Sequence, residues 1–281
     1  MLKTVLVPTD FTDDSALVLG FARGLPALGV RRVVLAHVVE ASGLEGPIIA
    51  KKVDEVRDWL KGLAPQLEAV GLGVEIRVPT GDAFDEITAL ATEMHVDAIV
   101  SGSHAKSIID QLFVGSISER LMRDASVPSL LSRFELMRNS EDPARLLRRF
   151  GEKLLMPTDF SLAASHAFTK AMELPKGVIK TMYLLHAIDP ALSGEKLRKT
   201  EEGAEFHLRN LQAMAEQQGI AAKIVLERGE AAHVVLSEID ERRITGVLTG
   251  TRGRNAIQEV LLGSVSMTVL KQASCPVMIV P

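Results

Sequence analysis

The chain has very few of the residues on which several common functions depend. It carries one cysteine in 281 residues, Cys275. That excludes an intramolecular disulfide and fits a reducing compartment; just before an apolar C-terminal run, the thiol is expected to be buried and inert. Aromatic residues make up only 4%, with one Trp and one Tyr, too few for a platform that stacks nucleic-acid bases. No run of 18 apolar residues exists to span a bilayer. Neither sign of charge dominates: 32 basic residues face 36 acidic ones, a net charge of −4, which gives no bias toward nucleic acid or an anionic membrane. Leu2 to Pro8 reads as a strand, too short and wrongly flanked for a signal peptide, so a cytoplasmic location is expected. Seven histidines are present, none with a Cys or His partner at metal-ligand spacing. A G-x-S-x-G elbow, a Walker lysine loop and a G-x-G-x-x-G turn are all missing, which argues against a hydrolase triad and the two commonest phosphate loops.

What is present is one pattern written twice. Val7-Pro8-Thr9-Asp10-Phe11 matches Met156-Pro157-Thr158-Asp159-Phe160 at an offset of 149 residues, and His37 matches His186 at the same offset. Gly102 and Gly250, Gly115 and Gly263, and Pro128 and Pro276 are each 148 apart. A near-constant offset over most of the chain means two tandem copies of one domain, each of ordinary domain size. The expected division is 1–134, a linker over 135–151, and 152–281. The linker's arginines alternate with acidic residues around Asn139, Ser140 and Pro143, and it reads as a solvated connector with one helical turn from Pro143.

Within each copy, short unbroken apolar runs alternate with helical periodicity. In the first, strands fall at Thr4–Val7, Arg32–Val39, Gly73–Val78, Asp97–Ser101 and Pro128–Leu131. The helix between the second and third strands spans 47–70, where Pro65 is expected to kink or interrupt it. This βαβαβαβαβ order implies a doubly wound parallel sheet, with ligands beyond the carboxyl ends of the strands. With strand order 3-2-1-4-5, Asp10 and Gly102 meet at that crevice. Gly219 is placed as a helix C-cap.

The second copy carries the more complete glycine pattern, Gly250-x2-Gly253-x9-Gly263-Ser264. Glycines admit close approach of an anion to backbone amides, and a helix N-terminus offers unpaired N–H groups. In the first copy Ala105 stands where the second glycine belongs. His37 and His186 are read as buried, hydrogen-bonded core histidines, and His207 as a surface or boundary residue.

With these residues assembled, the chain resembles the universal stress protein family over nearly all of both halves, as a tandem member. The resemblance implies flavodoxin-like (Rossmann-like) α/β domains, with ATP or AMP bound in many members and none in those that lack the glycine loop. Carried across, it puts Pro157, Thr158 and Asp159 at the adenine–ribose end and Ala187 against adenine. Thr249, Gly250, Gly253, Gly263, Ser264, Val265 and Ser266 would line ribose and phosphates, with Arg252 as an added phosphate donor. Pro8, Thr9, Asp10, Val38, Gly102, Ala105, Gly115, Ser116 and Ser118 form a weaker second site. ATP or AMP is the expected ligand, with Mg an optional companion of ATP and no metal held by the protein alone. A nucleotide-binding regulatory protein is the leading reading; a slow ATPase on the same site and a ligand-free interaction scaffold are the alternatives. No catalytic residue is assigned. Pairing of the last strands, Ser129–Leu131 with Val277–Val280, is expected to make an internal pseudo-dimer, and the full chain could dimerise further or bind an unknown protein partner.

Overall fold

The computed structural model describes residues 2–43, 45–103, 120, 126–251 and 263–281. Arg252, Gly253, Ala105, Gly115, Ser116 and Ser118 lie outside the described residues.

The first unit holds β1 (Thr4–Pro8), α1 (Asp13–Ala22), β2 (Arg32–Ala36), α2 (Gly46–Glu68), β3 (Gly73–Arg77), α3 (Ala83–Glu93), β4 (Ala98–Ser103) and β5 (Ser129–Arg133). Two short helices follow, α4 (Phe134–Arg138) and α5 (Ala144–Arg148). The second unit then runs through β6 (Lys153–Pro157), α6 (Leu162–Met172), β7 (Thr181–Ile188), α7 (Gly194–Gln217), β8 (Ala221–Arg228), α8 (Ala231–Glu241), β9 (Gly246–Gly250), α9 (Ser264–Gln272) and β10 (Val277–Val280).

All ten strands form one sheet, in the order β3-β2-β1-β4-β5-β10-β9-β6-β7-β8. Each half therefore has the expected 3-2-1-4-5 order, counted in its own strands. The central strands are apolar without alternation because helices cover both faces: Val5, Leu6 and Val7 are fully buried, as are Leu154, Leu155 and Met156. Each such side chain contributes about 1.5–3 kcal/mol through burial. Where the halves meet, β5 and β10 pair antiparallel, Leu131 opposite Val277 and Leu130 opposite Met278. This removes two apolar strand edges. The edges that remain, β3 and β8, carry Glu75, Arg77, Lys223, Glu227 and Arg228.

Two expectations need correction. Helix α2 runs from Gly46 to Glu68 with Pro65 inside it. The proline sits in the last turn, with Ala69 N donating to its carbonyl at 3.0 Å. The segment after β5 is also no solvated connector. Phe134, Met137, Ala144, Leu147 and Phe150 are buried, and they join a core that runs along one face of the sheet from β1 of the first unit to β10 of the second. The segment passes close to Gly24, just beyond the end of α1, where a Cβ would come within 2.7 Å of Leu147 Cβ, and it touches α1 at Gly20, where a Cβ would make ordinary contact with Pro143 at 3.5 Å. The charges that suggested a solvated chain lie on its outer side, as in the ion pairs Arg148–Asp142 and Arg138–Asp14.

Two local features carry predictions. Gly219 has φ 80°, and the amides of Gly219 and Ile220 close α7 by donating to Glu216 and Ala215 carbonyls at 2.9 and 3.1 Å. Gly219→Ala is expected to destabilise the chain by about 1 kcal/mol, read from urea unfolding, because alanine resists the left-handed region. Cys275 is buried, which with the nearby Asp240 pushes its thiol up to about 12. The native protein should therefore resist an aromatic disulfide reagent at pH 8 and react fully once urea unfolds it. Rapid native labelling would contradict this burial.

Candidate functional site

The crevice of each half is built where the first and fourth strands of the unit end side by side. In the second unit β6 ends at Pro157, which has no N–H to continue the ladder. Thr158 N makes the last ladder bond, to Leu185 O at 2.8 Å. The chain then turns through Asp159 and Phe160. Phe160 N donates to Thr158 Oγ1 at 3.0 Å, and Ser161 N to Asp159 Oδ1 at 3.1 Å. Phe160 takes φ 61°, uncommon for a side chain of its bulk, and its ring stacks on His186 with centroids 4.6 Å apart. Ser161 is the N-cap of α6, its Oγ accepting Ala164 N at 3.2 Å. Ala187 follows His186 on β7, half-buried.

The fourth strand, β9, brings Thr249 and Gly250 to the same rim. The missing side chain at Gly250 makes room for protein: a Cβ there would come within 2.7–2.9 Å of the backbone and Cβ of Ala163, in the first turn of α6. Gly263, with φ −56°, sits outside the left-handed region and is the N-cap of α9 without a side-chain cap bond. Past it stand the first-turn residues Ser264, Val265 and Ser266, with no acidic side chain among them. Such a turn favours negative charge. Ser266 is buried and its hydroxyl donates to Gly250 O at 2.8 Å, so it latches α9 to the end of β9. Exposed Ser264 keeps its place at the mouth of the helix.

The first unit repeats the plan with a different division of labour. Asp10 Oδ1 accepts Thr12 N at 3.0 Å and the Thr12 hydroxyl, and lies 2.6 Å from Ser15 Oγ. The Thr12 side chain makes no cap bond to α1; the start of the helix is gathered on Asp10 instead. Burial pushes the Asp10 carboxyl up, but the Ser15 and Thr12 hydrogen bonds, with His37 nearby, outweigh it and hold the group below its ordinary 3.8. In the second unit Ala164 stands where Ser15 stands in the first, and Ser161 does the capping.

Around Asp10 opens a cavity of about 820 Å³. Pro8, Thr9, Val38 and Gly102 line it, so the first-site residues that are described do come together. Asp14, Glu40 and Glu55 also line it, with Lys52 the one Lys or Arg in the described lining. Phe134, from the segment after β5, packs against Gly102, where a Cβ would come within 2.2 Å of its ring. Sequence reasoning missed this aromatic wall because the segment after β5 read as a solvated connector.

The histidines keep to expectation in part: His37 and His186 are hydrogen-bonded, and His207 is exposed. His37 and His186 are half-buried, and each Nδ1 lies 2.8 Å from a carbonyl, Thr9 O and Thr158 O respectively. His207 packs on Phe160 at 5.0 Å. Among the described residues, no group of three or more His, Cys, Asp and Glu side chains is arranged to hold a metal ion.

The sequence model of the Universal stress protein family matches residues 1–133 and 151–281. A universal stress protein of Methanocaldococcus jannaschii is 26% identical over 153 residues, covering 47% of this chain and 94% of its own length. One of Mycolicibacterium smegmatis is 23% identical, with 98% of this chain and 96% of its own length covered. In fold, the chain is similar to the crystal structure of a universal stress protein from Archaeoglobus fulgidus, with a TM-score of 0.77 at 22% identity, covering 100% of this chain and 96% of that one.

Proposed function

This chain belongs to the universal stress protein family, and on that premise we propose that it is an adenine-nucleotide-binding regulatory protein whose principal site is the crevice of the second unit. The observation that carries the choice of unit is the division of labour at the two aspartates. Both aspartates accept the backbone N–H two residues on, Thr12 N at 3.0 Å and Ser161 N at 3.1 Å, but Asp10 also lies 2.6 Å from Ser15 Oγ, where the second unit has Ala164 and so no hydroxyl to offer Asp159. A carboxylate at this place can accept ribose hydroxyls. Pro157 and Thr158 flank it, Ala187 offers a small apolar surface for adenine, and the first-turn amides of α9 at Ser264 and Val265 receive phosphate. Thr249 and Gly250 form the rim between sugar and phosphate, and Arg252 and Gly253 belong to the same proposal.

A cavity of about 820 Å³ lies over the first unit, yet volume does not decide affinity. Its described lining sets four carboxylates, Asp10, Asp14, Glu40 and Glu55, against Lys52. A polyphosphate would meet like charge there, and Ala105 replaces a motif glycine. We propose ATP or AMP as the ligand, Mg²⁺ accompanying ATP, with occupancy setting the choice of a protein partner in the cytoplasm.

Titration calorimetry on the full chain tests this, with the emission of Trp59 followed in parallel. Trp59 is the single tryptophan, and its ring lies 4.3 Å from that of Phe11 at the first cavity, so it reports on the first unit. One nucleotide per chain with unchanged Trp59 emission is expected. A Trp59 response at the same concentration would overturn the preference for the second unit. No heat and no rise in Tm at millimolar ATP or AMP would remove the nucleotide reading, because ligand bound to the native state must stabilise it.

A further inference from the structure

The turn that carries the carboxylate is held in both halves by a contact that the repeat pattern alone did not explain. Thr158 N is fixed by the last ladder bond to Leu185 O, and Thr158 O, beyond the ladder, is met by His186 Nδ1 at 2.8 Å. A carbonyl can only accept, so Nδ1 carries the proton. The peptide joining Thr158 to Asp159 is thus gripped just before the aspartate Cα. The first unit repeats the grip: Thr9 N donates to Ala36 O at 2.8 Å, and His37 Nδ1 lies 2.8 Å from Thr9 O.

The surroundings of the two imidazoles are not repeated. Phe160 lies nearly flat on His186, with 27° between the rings, whereas Phe11 meets His37 edge-on at 69°. Phe160 has positive φ, and Phe11 is not among the positive-φ residues. Ring packing therefore varies between the copies while the histidine–carbonyl bond does not. A side chain kept only to fill space would be free of that constraint.

We propose that His186 is a positioning residue of the second crevice: by clamping the Thr158 carbonyl it sets the direction in which the Asp159 carboxylate meets the sugar hydroxyls of a bound nucleotide. His37 does the same for Asp10. This rests on the nucleotide reading given above and goes beyond it by naming the group that gives the site its preference for a sugar carrying hydroxyls. The imidazole touches neither sugar nor phosphate in this role; it acts through Asp159.

The test compares ATP with 2′,3′-dideoxy-ATP on the full chain, for wild type, His186→Ala, His186→Asn and His186→Gln. The asparagine amide nitrogen sits close to the position of Nδ1 and can reach Thr158 O; the glutamine amide sits nearer that of Nε2 and cannot without displacing the turn. Wild type is expected to favour ATP by about tenfold or more, the worth of a hydrogen bond to a charged group. His186→Ala and His186→Gln should bring that preference to about twofold with dideoxy-ATP affinity nearly unchanged, and His186→Asn should restore most of it. If His186→Ala does not fold, the Asn and Gln variants alone decide. A sugar preference that survives in the Gln variant, or equal weakening of both ligands, would overturn the clamp and leave the histidine a purely structural role. Wild type that binds both nucleotides equally would overturn it as well. Wild type that binds neither would instead remove the nucleotide reading, and this proposal with it.

Discussion

Asp159→Ala is expected to weaken ATP or AMP binding to the full chain by about tenfold or more while moving Tm little, and Asp10→Ala is expected to do the reverse. The asymmetry follows from what each carboxylate already holds. Asp10 gathers Thr12 N, the Thr12 hydroxyl and Ser15 Oγ at the start of α1. Losing such an arrangement costs about 1 kcal/mol, which lowers Tm by a few degrees. In the second unit Asp159 likewise accepts Ser161 N, at 3.1 Å, but Ala164 stands in place of Ser15 with no hydroxyl to offer, so removing the Asp159 side chain is expected to cost the fold less than removing that of Asp10. Calorimetry with each variant, beside unfolding curves, separates the two effects. Equal loss of affinity in both variants would erase the difference between the units.

The Asp10 arrangement also has a signature in acid. Its carboxyl lies below the ordinary 3.8 in the folded chain, so its stabilisation is complete above that value and is lost as pH falls through the lower folded value. Urea unfolding of the wild type should therefore weaken more steeply below about pH 4 than that of Asp10→Asn.

The other large effect belongs to the segment between the repeats. Phe150→Ala is expected to cost about 3–5 kcal/mol and Leu147→Ala about 2–5 kcal/mol, the range for large-to-small changes in a packed core. Both side chains are fully buried, and the Phe150 ring lies against Gly246 at the start of β9, where a Cβ would come within 2.5 Å. A flexible tether would tolerate either change within about 0.5 kcal/mol. Urea unfolding decides, and losses that small would mean the segment is not part of the core. Because it shares one core with both halves, the loss should appear in a single transition and not only in one half.

The doubled architecture was legible in the residues themselves. Near-equal offsets at Pro8 and Pro157, Asp10 and Asp159, and Gly102 and Gly250 revealed the repeat, and unbroken apolar runs revealed a sheet covered on both faces. The 3-2-1-4-5 order follows in each half. The burial of the connecting segment was hidden because its arginines dominate its composition while Phe134, Met137, Leu147 and Phe150 are spread thinly among them. A signal was available at Gly24, just past the end of α1, where the second copy has Glu173: a Cβ there would meet the Ala144 carbonyl, as happens when backbone must pass close. Within the site, glycine spacing was informative about the motif but not about its cause. Gly250 is required by Ala163, and Gly263 needs no unusual backbone angle. Such packing across elements leaves no mark on local sequence. His186 was equally hard to read, because a histidine beside an apolar run has the same appearance whether it fills a core or grips a carbonyl.

The antiparallel join of β5 and β10 has a geometric consequence for signalling. The strands of one half run parallel to one another and opposite to those of the other half. Their carboxyl ends, and with them the two crevices, therefore open on opposite rims of the continuous sheet. On the function proposed above, a flat partner docked on one rim would therefore meet one crevice and be blind to the other. Only a partner that wraps around the molecule could compare the two.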